Sequence, residues 1–491
     1  MKPRRVLPSP ADIVFILFLL AMPLARGWQA LNTDGDLGRH IRVGQTMIDR
    51  GALFHTDRFS FTAADQPFVP YEWLSEVLFA GAHHQRGLAG VLVLVALVVA
   101  TTYGVLTLFL LRSGVDPLLA FLTALVAGLS GAFHWLARPH VFTLLGAVLL
   151  LGLLERGGRL ALWLIFALFV VWANLHGGFL YGLVLIGLYL ASSTDRRWYA
   201  LALGAALAGA CLTPSGPGIL AHVAGYLGKT YLVDRTAEYQ SPDFHEWYAR
   251  VFMVVLLALL GALALSRRRL PLPWLAVLLA NSAFALNSAR NIPLFAITAL
   301  PLVVMHFDST WRELRSRVLV RFRATFAVGA AASRAGPWSV IAAAALLFLG
   351  ERQEVLGVQL LPARFDPGIF PVEAVRRARD AGLQGRIFNE FAWGGYLLYA
   401  WPEQRVFIDG QTDFYGEAIT RSYSRIRNQE AGWREELDRW EVELILLPSG
   451  APVIAAVEAT REWRAWHRDS NATLLMRTRA LPSGMGRSIH P

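Results

Sequence analysis

Through the first 350 residues, long apolar runs alternate with short polar breaks that carry arginine, glycine or proline. About eleven of these runs are long enough, or nearly so, to cross a bilayer, which takes roughly 17–25 residues per helix. They fall near 12–28, 88–111, 117–133, 140–154, 160–174, 178–193, 198–212, 250–266, 271–287, 291–307 and 337–350. Beyond residue 351 the pattern turns globular. A helix is predicted over 371–381, short strands over 386–388 and 405–408, helices near 415–428 and 432–440, and strands near 442–447 and 473–477. The predicted architecture is an all-α polytopic membrane domain, 1–350, with a long first loop at 29–87. A small α/β domain over 351–491 follows it.

Composition agrees with that division. Hydrophobic residues make up 55% of the 491, which excludes a disordered chain. The single cysteine, Cys211, excludes an internal disulfide. A net charge of +10 would suggest nucleic acid in a soluble protein. Here the basic residues sit in alternate loops: Arg112, then Arg156 with Arg159, Arg196 with Arg197, and Arg267 to Arg269. The loop after the tenth run adds Arg312, Arg315, Arg317, Arg321, Arg323 and Arg334. Basic loops stay in the cytoplasm. The expected topology is therefore a multi-pass protein of the cell (inner) membrane with a cytoplasmic N-terminus and an extracytoplasmic 351–491 domain. The charge records topology, and no nucleic-acid partner is expected.

With that orientation, the polar residues that could do chemistry collect on the extracytoplasmic side. The first loop carries Asp34, Asp36, His40, Glu72 and Glu76, and 37–50 reads as an amphipathic helix on the membrane surface. Asp36 and His40, four apart, would share one face of that helix. Two carboxylates separated by Gly35 can bind a divalent cation, or one can act as a base while the other orients it. Asp36 equally suits a helix N-cap. Arg138-Pro139-His140 stands where one span ends and the next begins, which suits a phosphate or pyrophosphate, or a snorkelling arginine beside an interfacial histidine. Asn174-Leu175-His176-Gly177-Gly178 is a tight polar turn, and Arg290-Asn291 precedes Pro293 at a helix start. The long loop 213–249 adds Tyr231, Glu238, Tyr239, Asp243 and His245. Asp409-Gly410 follows a predicted strand end, a position that serves either binding or a simple turn. The middles of the spans hold few ionisable groups, unlike those of ion-coupled transporters.

The chain resembles the GT-C glycosyltransferases, which are multi-spanning membrane enzymes. The resemblance rests on Asp34-Gly35-Asp36 at the start of the first loop, followed by two interfacial helices. The stretches Asp36 to Arg42, Asp57 to Thr62 and Glu72 to Glu76 are similar to a prokaryotic branch of that superfamily. So are Arg138-Pro139-His140, Asn174 to Gly177, Arg290 to Pro293, Gly394-Gly395-Tyr396 and Phe407 to Gly410. The resemblance implies sugar transfer, with inversion, from a polyprenyl-phosphate-linked donor at the extracytoplasmic face. It implies Asp34 as the base with Asp36 next. His40, Glu72, Arg138, His140, Asn174, His176 and Arg290 are the expected substrate or phosphate ligands. Asp34 and Asp36 are the candidate ligands of a divalent cation, and lipid-linked donor and membrane lipid are the expected partners. No second DxD or WWD-type motif is present, which weighs against peptide glycosylation and an obligatory metal. Two other readings stay open: a transporter or flippase of a lipid-linked polar molecule, and a noncatalytic assembly protein whose α/β tail binds a partner.

Overall fold

A computed structural model describes residues 7–227, 239–318, 336–349, 354–355, 358–359 and 363–478. Tyr231, Glu238, Arg321, Arg323 and Arg334 lie outside the described residues. The chain divides into two compact units that do not follow chain order. One comprises Met1–Ala30 and Ala82–Ala363, and the other Leu31–Gly81 and Arg364–Pro491. Most of the first loop thus clusters with the C-terminal segment, whereas the sequence-based boundary grouped it with the spans.

The first unit is helical, and each of the eleven apolar runs forms a helix. Among the described residues, six helices are long and apolar enough to cross a membrane: Pro10–Asn32, Trp73–Arg112, Pro117–His134, Gly158–Leu175, Trp247–Leu265 and Ala289–Leu314. Phe179–Ser192, Leu272–Asn287 and Trp338–Phe348 are shorter apolar helices. Helices His140–Arg156 and Arg196–Ala210 complete the set. The fold is that of a polytopic membrane protein. Trp73–Arg112 breaks at Arg86 and at Gly87, whose φ of 58° favours glycine, so the predicted span at 88–111 is its second segment.

Small residues let these helices approach closely, as lipid-embedded packing requires. Ala202, Ala206 and Ala210 form a buried stripe on helix Arg196–Ala210, which packs on Gly158–Leu175. Trp172 is held between two glycines: a Cβ on Gly146 would lie 2.6 Å from its ring and one on Gly182 2.8 Å. The fully buried Asp12 completes a capping box with Ser9 and also accepts from Gly336 N at 2.8 Å and Ser339 Oγ at 2.6 Å. That carboxylate ties the start of the first helix to the start of the last apolar one.

The second unit is α/β. Its sheet contains β1 (Ile387–Asn389), β2 (Leu444–Pro448), β3 (Trp463–Arg468) and β4 (Ala472–Arg477), in the order β1-β2-β4-β3. β1 and β2 run parallel; β2 with β4, and β4 with β3, run antiparallel. Phe388, Phe407, Tyr423, Ile445, Leu447 and Leu475 are among the buried residues of its core. The strand expected over 405–408 is reduced to bridges at Val406, which pairs in parallel with both Ile387 and Ser60. The first loop therefore extends the sheet, since Phe61 N donates to Val406 O and Val406 N to Phe59 O. Helix Val372–Asp380 lies within the predicted 371–381, and Thr412–Arg427 and Trp433–Arg439 match the next two predictions. Three elements were not anticipated: helices Gly394–Ala400 and Pro452–Ala459, and the charged edge strand β3.

Candidate functional site

In the second unit, the acidic turn is shaped by its own backbone and by glycines from the far end of the chain. Asp34 Oδ1 accepts from Asp36 N at 2.9 Å, closing an Asx turn. Asp36 occupies the N-cap position of helix Leu37–Arg50 but makes no side-chain cap hydrogen bond. Its carboxylate instead lies where a side chain on Gly410 would be, so a larger residue there would displace it. Gly38 and Gly395 bring helix Leu37–Arg50 into backbone contact with Gly394–Ala400, since a Cβ on Gly38 would strike the Gly395 carbonyl. Asp34 and Asp36 stay half-buried and Thr33 is exposed, so the carboxylates are fixed and reachable.

Below the turn lies a buried ion network that sequence reasoning did not assemble. Arg39 Nη1 donates to Glu76 Oε1 at 3.2 Å, and its Nε lies 3.3 Å from Asp409 Oδ1. Arg39 also donates to Gln411 Oε1. His40 Nδ1 is 3.5 Å from the same Glu76 oxygen, and the His40 ring packs toward Phe79. Arg39, His40, Glu76 and Asp409 are all buried. Burial pushes the Asp409 carboxyl above the ordinary aspartate range, against the opposing pull of Arg39. Tyr415, which donates to Asp409 Oδ2 at 3.0 Å, is pushed up by burial and by that carboxylate.

The network changes the reading of three predictions. His40, expected to bind substrate, faces Glu76 inside the unit. The helix over 37–50, expected on a membrane surface, has Leu37, Ile41, Val43 and Met47 buried in protein. Asp409 is neither a simple turn residue nor an exposed ligand. The available signal was arginine and histidine on the otherwise apolar face of an amphipathic helix, which demands buried counter-charges. Glu72, half-buried, precedes helix Trp73–Arg112, and its carbonyl accepts from Ser75 Oγ at 2.8 Å.

In the first unit, three expected residues come together. His140 Nε2 bonds to the His134 carbonyl at 2.7 Å, and the two rings stack edge-on with centroids 4.2 Å apart. Arg138 lies in the turn directly before His140. One helical turn further on, Thr143 Oγ1 meets His176 Nδ1 at 2.7 Å. Gly178 N donates to the same ring nitrogen at 3.0 Å, so in the neutral imidazole the proton resides on Nε2. Trp172 Nε1 donates to Thr143 Oγ1 at 2.9 Å, which leaves the threonine hydroxyl to donate to His176. The glycine-cradled Trp172 thus sets Thr143, and Thr143 sets the imidazole.

Asn174 plays a different part. Its amide nitrogen donates to Val170 O at 2.7 Å and Leu212 O at 3.0 Å, pinning two chain segments together. Arg290 stacks over Tyr239, 4.3 Å from the ring centroid, on the short helix before Ile292. The first turn predicted around Pro293 is present.

Among the described residues, no group of three His, Cys, Asp or Glu side chains is placed to hold a metal ion. Asp34 and Asp36 offer two carboxylates, one of them already accepting from backbone. A hard divalent cation takes about six or more oxygens, so with these two carboxylates most of its positions would fall to water or substrate phosphate.

Solved structures with a similar fold include an oligosaccharyltransferase and ArnT. The oligosaccharyltransferase of Archaeoglobus fulgidus in its apo form is similar, with TM-score 0.59 and 11% identity, covering 89% of this chain and 69% of that one. The same organism's oligosaccharyltransferase AglB, in complex with an inhibitory peptide and a dolichol-phosphate, gives TM-score 0.53 and 12% identity over 96% and 74%. ArnT from Cupriavidus metallidurans bound to undecaprenyl phosphate gives 0.51 and 14% over 95% and 98%. At these identities the likeness is one of fold. No protein-family model matches the sequence, and no curated protein matches it.

Proposed function

We propose that the protein is a membrane glycosyltransferase that moves a sugar from a polyprenyl-phosphate-linked donor to an acceptor at the extracytoplasmic face. The observation that carries this reading is the half-buried Asp34-Gly35-Asp36 turn, closed by the Asp36 N to Asp34 Oδ1 hydrogen bond and packed against Gly395 and Gly410, in a chain whose fold is similar to those of an oligosaccharyltransferase and ArnT. In the proposed reaction an acceptor hydroxyl oxygen attacks the anomeric carbon. The bond from that carbon to the donor phosphate oxygen breaks, and configuration inverts. Asp34 takes the hydroxyl proton, a role that needs a carboxylate fixed within hydrogen-bond reach. The departing phosphate keeps the bond electrons, and fixed cations or N–H donors stabilise its growing charge. The residues that the sequence reading expects to meet that charge are Arg138, His176 and Arg290. The transport reading gains no support from the polar trio Tyr181, Asn281 and Thr298. These uncharged groups bond one another, Tyr181 Oη lying 2.8 Å from each of its partners.

The test is Asp34→Asn in a membrane assay with a polyprenyl-phosphate-linked sugar donor. Loss of a general base lowers transfer by about 10²–10⁴-fold, with an unchanged melting temperature. Full transfer by the variant would refute the base assignment.

A further inference from the structure

The second unit contains a cavity of about 290 Å³ lined by Arg42, Arg50, Arg58, Arg405, Thr46 and Asp49, with Gln404 in its wall. Arg42, Thr46 and Arg50 stand four residues apart, one stripe along the last two turns of helix Leu37–Arg50. Arg58 and Arg405 come from the two segments that the Ser60–Val406 bridge fixes side by side, with Val406 N donating to Phe59 O at 3.0 Å. The arginine-bearing backbone is thus ordered on every side.

None of these four arginines forms an ion pair or a side-chain hydrogen bond among the described residues. Elsewhere in the same unit several exposed arginines are paired, as Arg376 with Glu373, Arg421 with Glu417 and Arg468 with Glu458, while ones unpaired among the described residues, such as Arg461 and Arg464, are not gathered around this cavity. Asp49, the one acidic group in the lining, accepts from Gln45 Nε2 at 2.6 Å. Four guanidinium groups facing one carboxylate repel each other, and folding gains nothing from gathering them. A bound polyanion removes that repulsion, and guanidinium forks match phosphate oxygens bidentately.

We propose that this cavity binds a phosphate-bearing ligand, a diphosphate or a phosphate ester of head-group size. The volume lies near the lower bound of small-ligand sites, which suits a head group rather than a whole lipid or a long sugar chain. The site is separate from the assignments to Arg138 and Arg290 and does not rest on the transferase reading.

The experiment titrates the full chain in a neutral detergent with inorganic pyrophosphate, and separately with a short-chain phosphatidic acid. A short-chain phosphatidylcholine serves as the zwitterionic control. The expected result is saturable, salt-sensitive binding of at least one phosphate probe. It should weaken at least tenfold in the double variant Arg58→Gln/Arg405→Gln and stay unchanged in Arg434→Gln, an exposed arginine outside the cavity. Binding of pyrophosphate alone identifies a free diphosphate as the source, and binding of phosphatidic acid alone a lipid head group. Binding of neither, or equal affinity in the double variant, would overturn the proposal. Pyrophosphate held by Arg138 or Arg290 would survive that variant and so be told apart. The ligand-free double variant should melt no lower than wild type, since two like charges have gone. A lower melting temperature would assign the arginines to the fold and overturn the proposal too.

Discussion

Arg39 Nε lies 3.3 Å from Asp409 Oδ1, so the loop after the first span and the C-terminal segment share one buried ion pair. Arg39 serves Glu76 as well, which makes it the single guanidinium between two buried carboxylates. Removing one member of such a cluster costs more than the pair contributes, because the remaining charges stay desolvated.

Arg39→Met should therefore destabilise the protein by about 3–5 kcal/mol. Arg39→Lys should lose less, since an ammonium keeps the charge but cannot fork to Glu76, Asp409 and Gln411 together. Chemical unfolding of the full chain in detergent, followed by tryptophan fluorescence, reads both. An Arg39→Met protein within about 1 kcal/mol of wild type would remove the network from the account, the size of an ordinary exposed pair.

The same network predicts a pH effect of defined sign. Burial raises the Asp409 carboxyl pKa over Arg39's opposing pull, so the folded state holds that proton more tightly than the unfolded chain does. Its contribution to stability is fully present below the unfolded aspartate value of about 3.9 and is lost as pH rises through the raised folded value. Asp409→Asn fixes the neutral form. The melting temperature of the variant minus that of wild type should climb with pH across that window and then level. A difference that falls with rising pH would contradict the upward shift.

The helical half of the fold was legible because apolar runs in a membrane chain have few other uses. All eleven became helices, while Arg312, Arg315 and Arg317, read as loop, lie inside helix Ile292–Val318. The α/β tail was legible where strands were apolar, as in β2 and β4, whose residues are buried almost throughout. β3 escaped because an edge strand of sequence WRAWHR buries only Trp463 and His467, with no period-2 pattern and a charged composition. The union of residues 31–81 with 364–478 was not legible in spacing, since it depends on contacts far apart in sequence. Gly38 against Gly395 and Arg39 against Asp409 are such contacts. Of the candidate site, the Asp34-Gly35-Asp36 turn and the Arg138-Pro139-His140 helix start were visible as local motifs. Thr143 and Arg39 were not singled out, because their importance lies in what they touch.

Thr143 joins two buried rings. Its hydroxyl accepts from Trp172 Nε1 at 2.9 Å and meets His176 Nδ1 at 2.7 Å. Thr143→Val preserves shape but leaves the indole N–H without its acceptor, a loss of about 1–3 kcal/mol. Thr143→Ser keeps the hydroxyl and should stay within about 1 kcal/mol of wild type, since it deletes only one methyl group. Thermal unfolding of the two variants side by side is the check. Equal stabilities would show that the hydroxyl does not organise this corner.

The last prediction concerns how the first loop joins the sheet. Asp57 is buried and accepts from Ser60 N at 2.9 Å, Ser60 Oγ at 2.7 Å and Phe59 N at 3.3 Å. These bonds shape the turn that delivers Ser60 and Phe61 to Val406. Asp57→Ala leaves the donors without that acceptor, which costs about 1–3 kcal/mol, and the loss should concentrate in the local opening of this edge. Amide hydrogen exchange at Phe61 and Val406 should then accelerate by roughly tenfold or more, the equivalent of the lower part of that range. Leu446 and Leu474, paired inside the sheet between β2 and β4, should keep their protection. Uniform acceleration at all four amides would mean that Asp57 supports the whole unit. Unchanged exchange at Phe61 would mean that the bridge to Val406 stands without it.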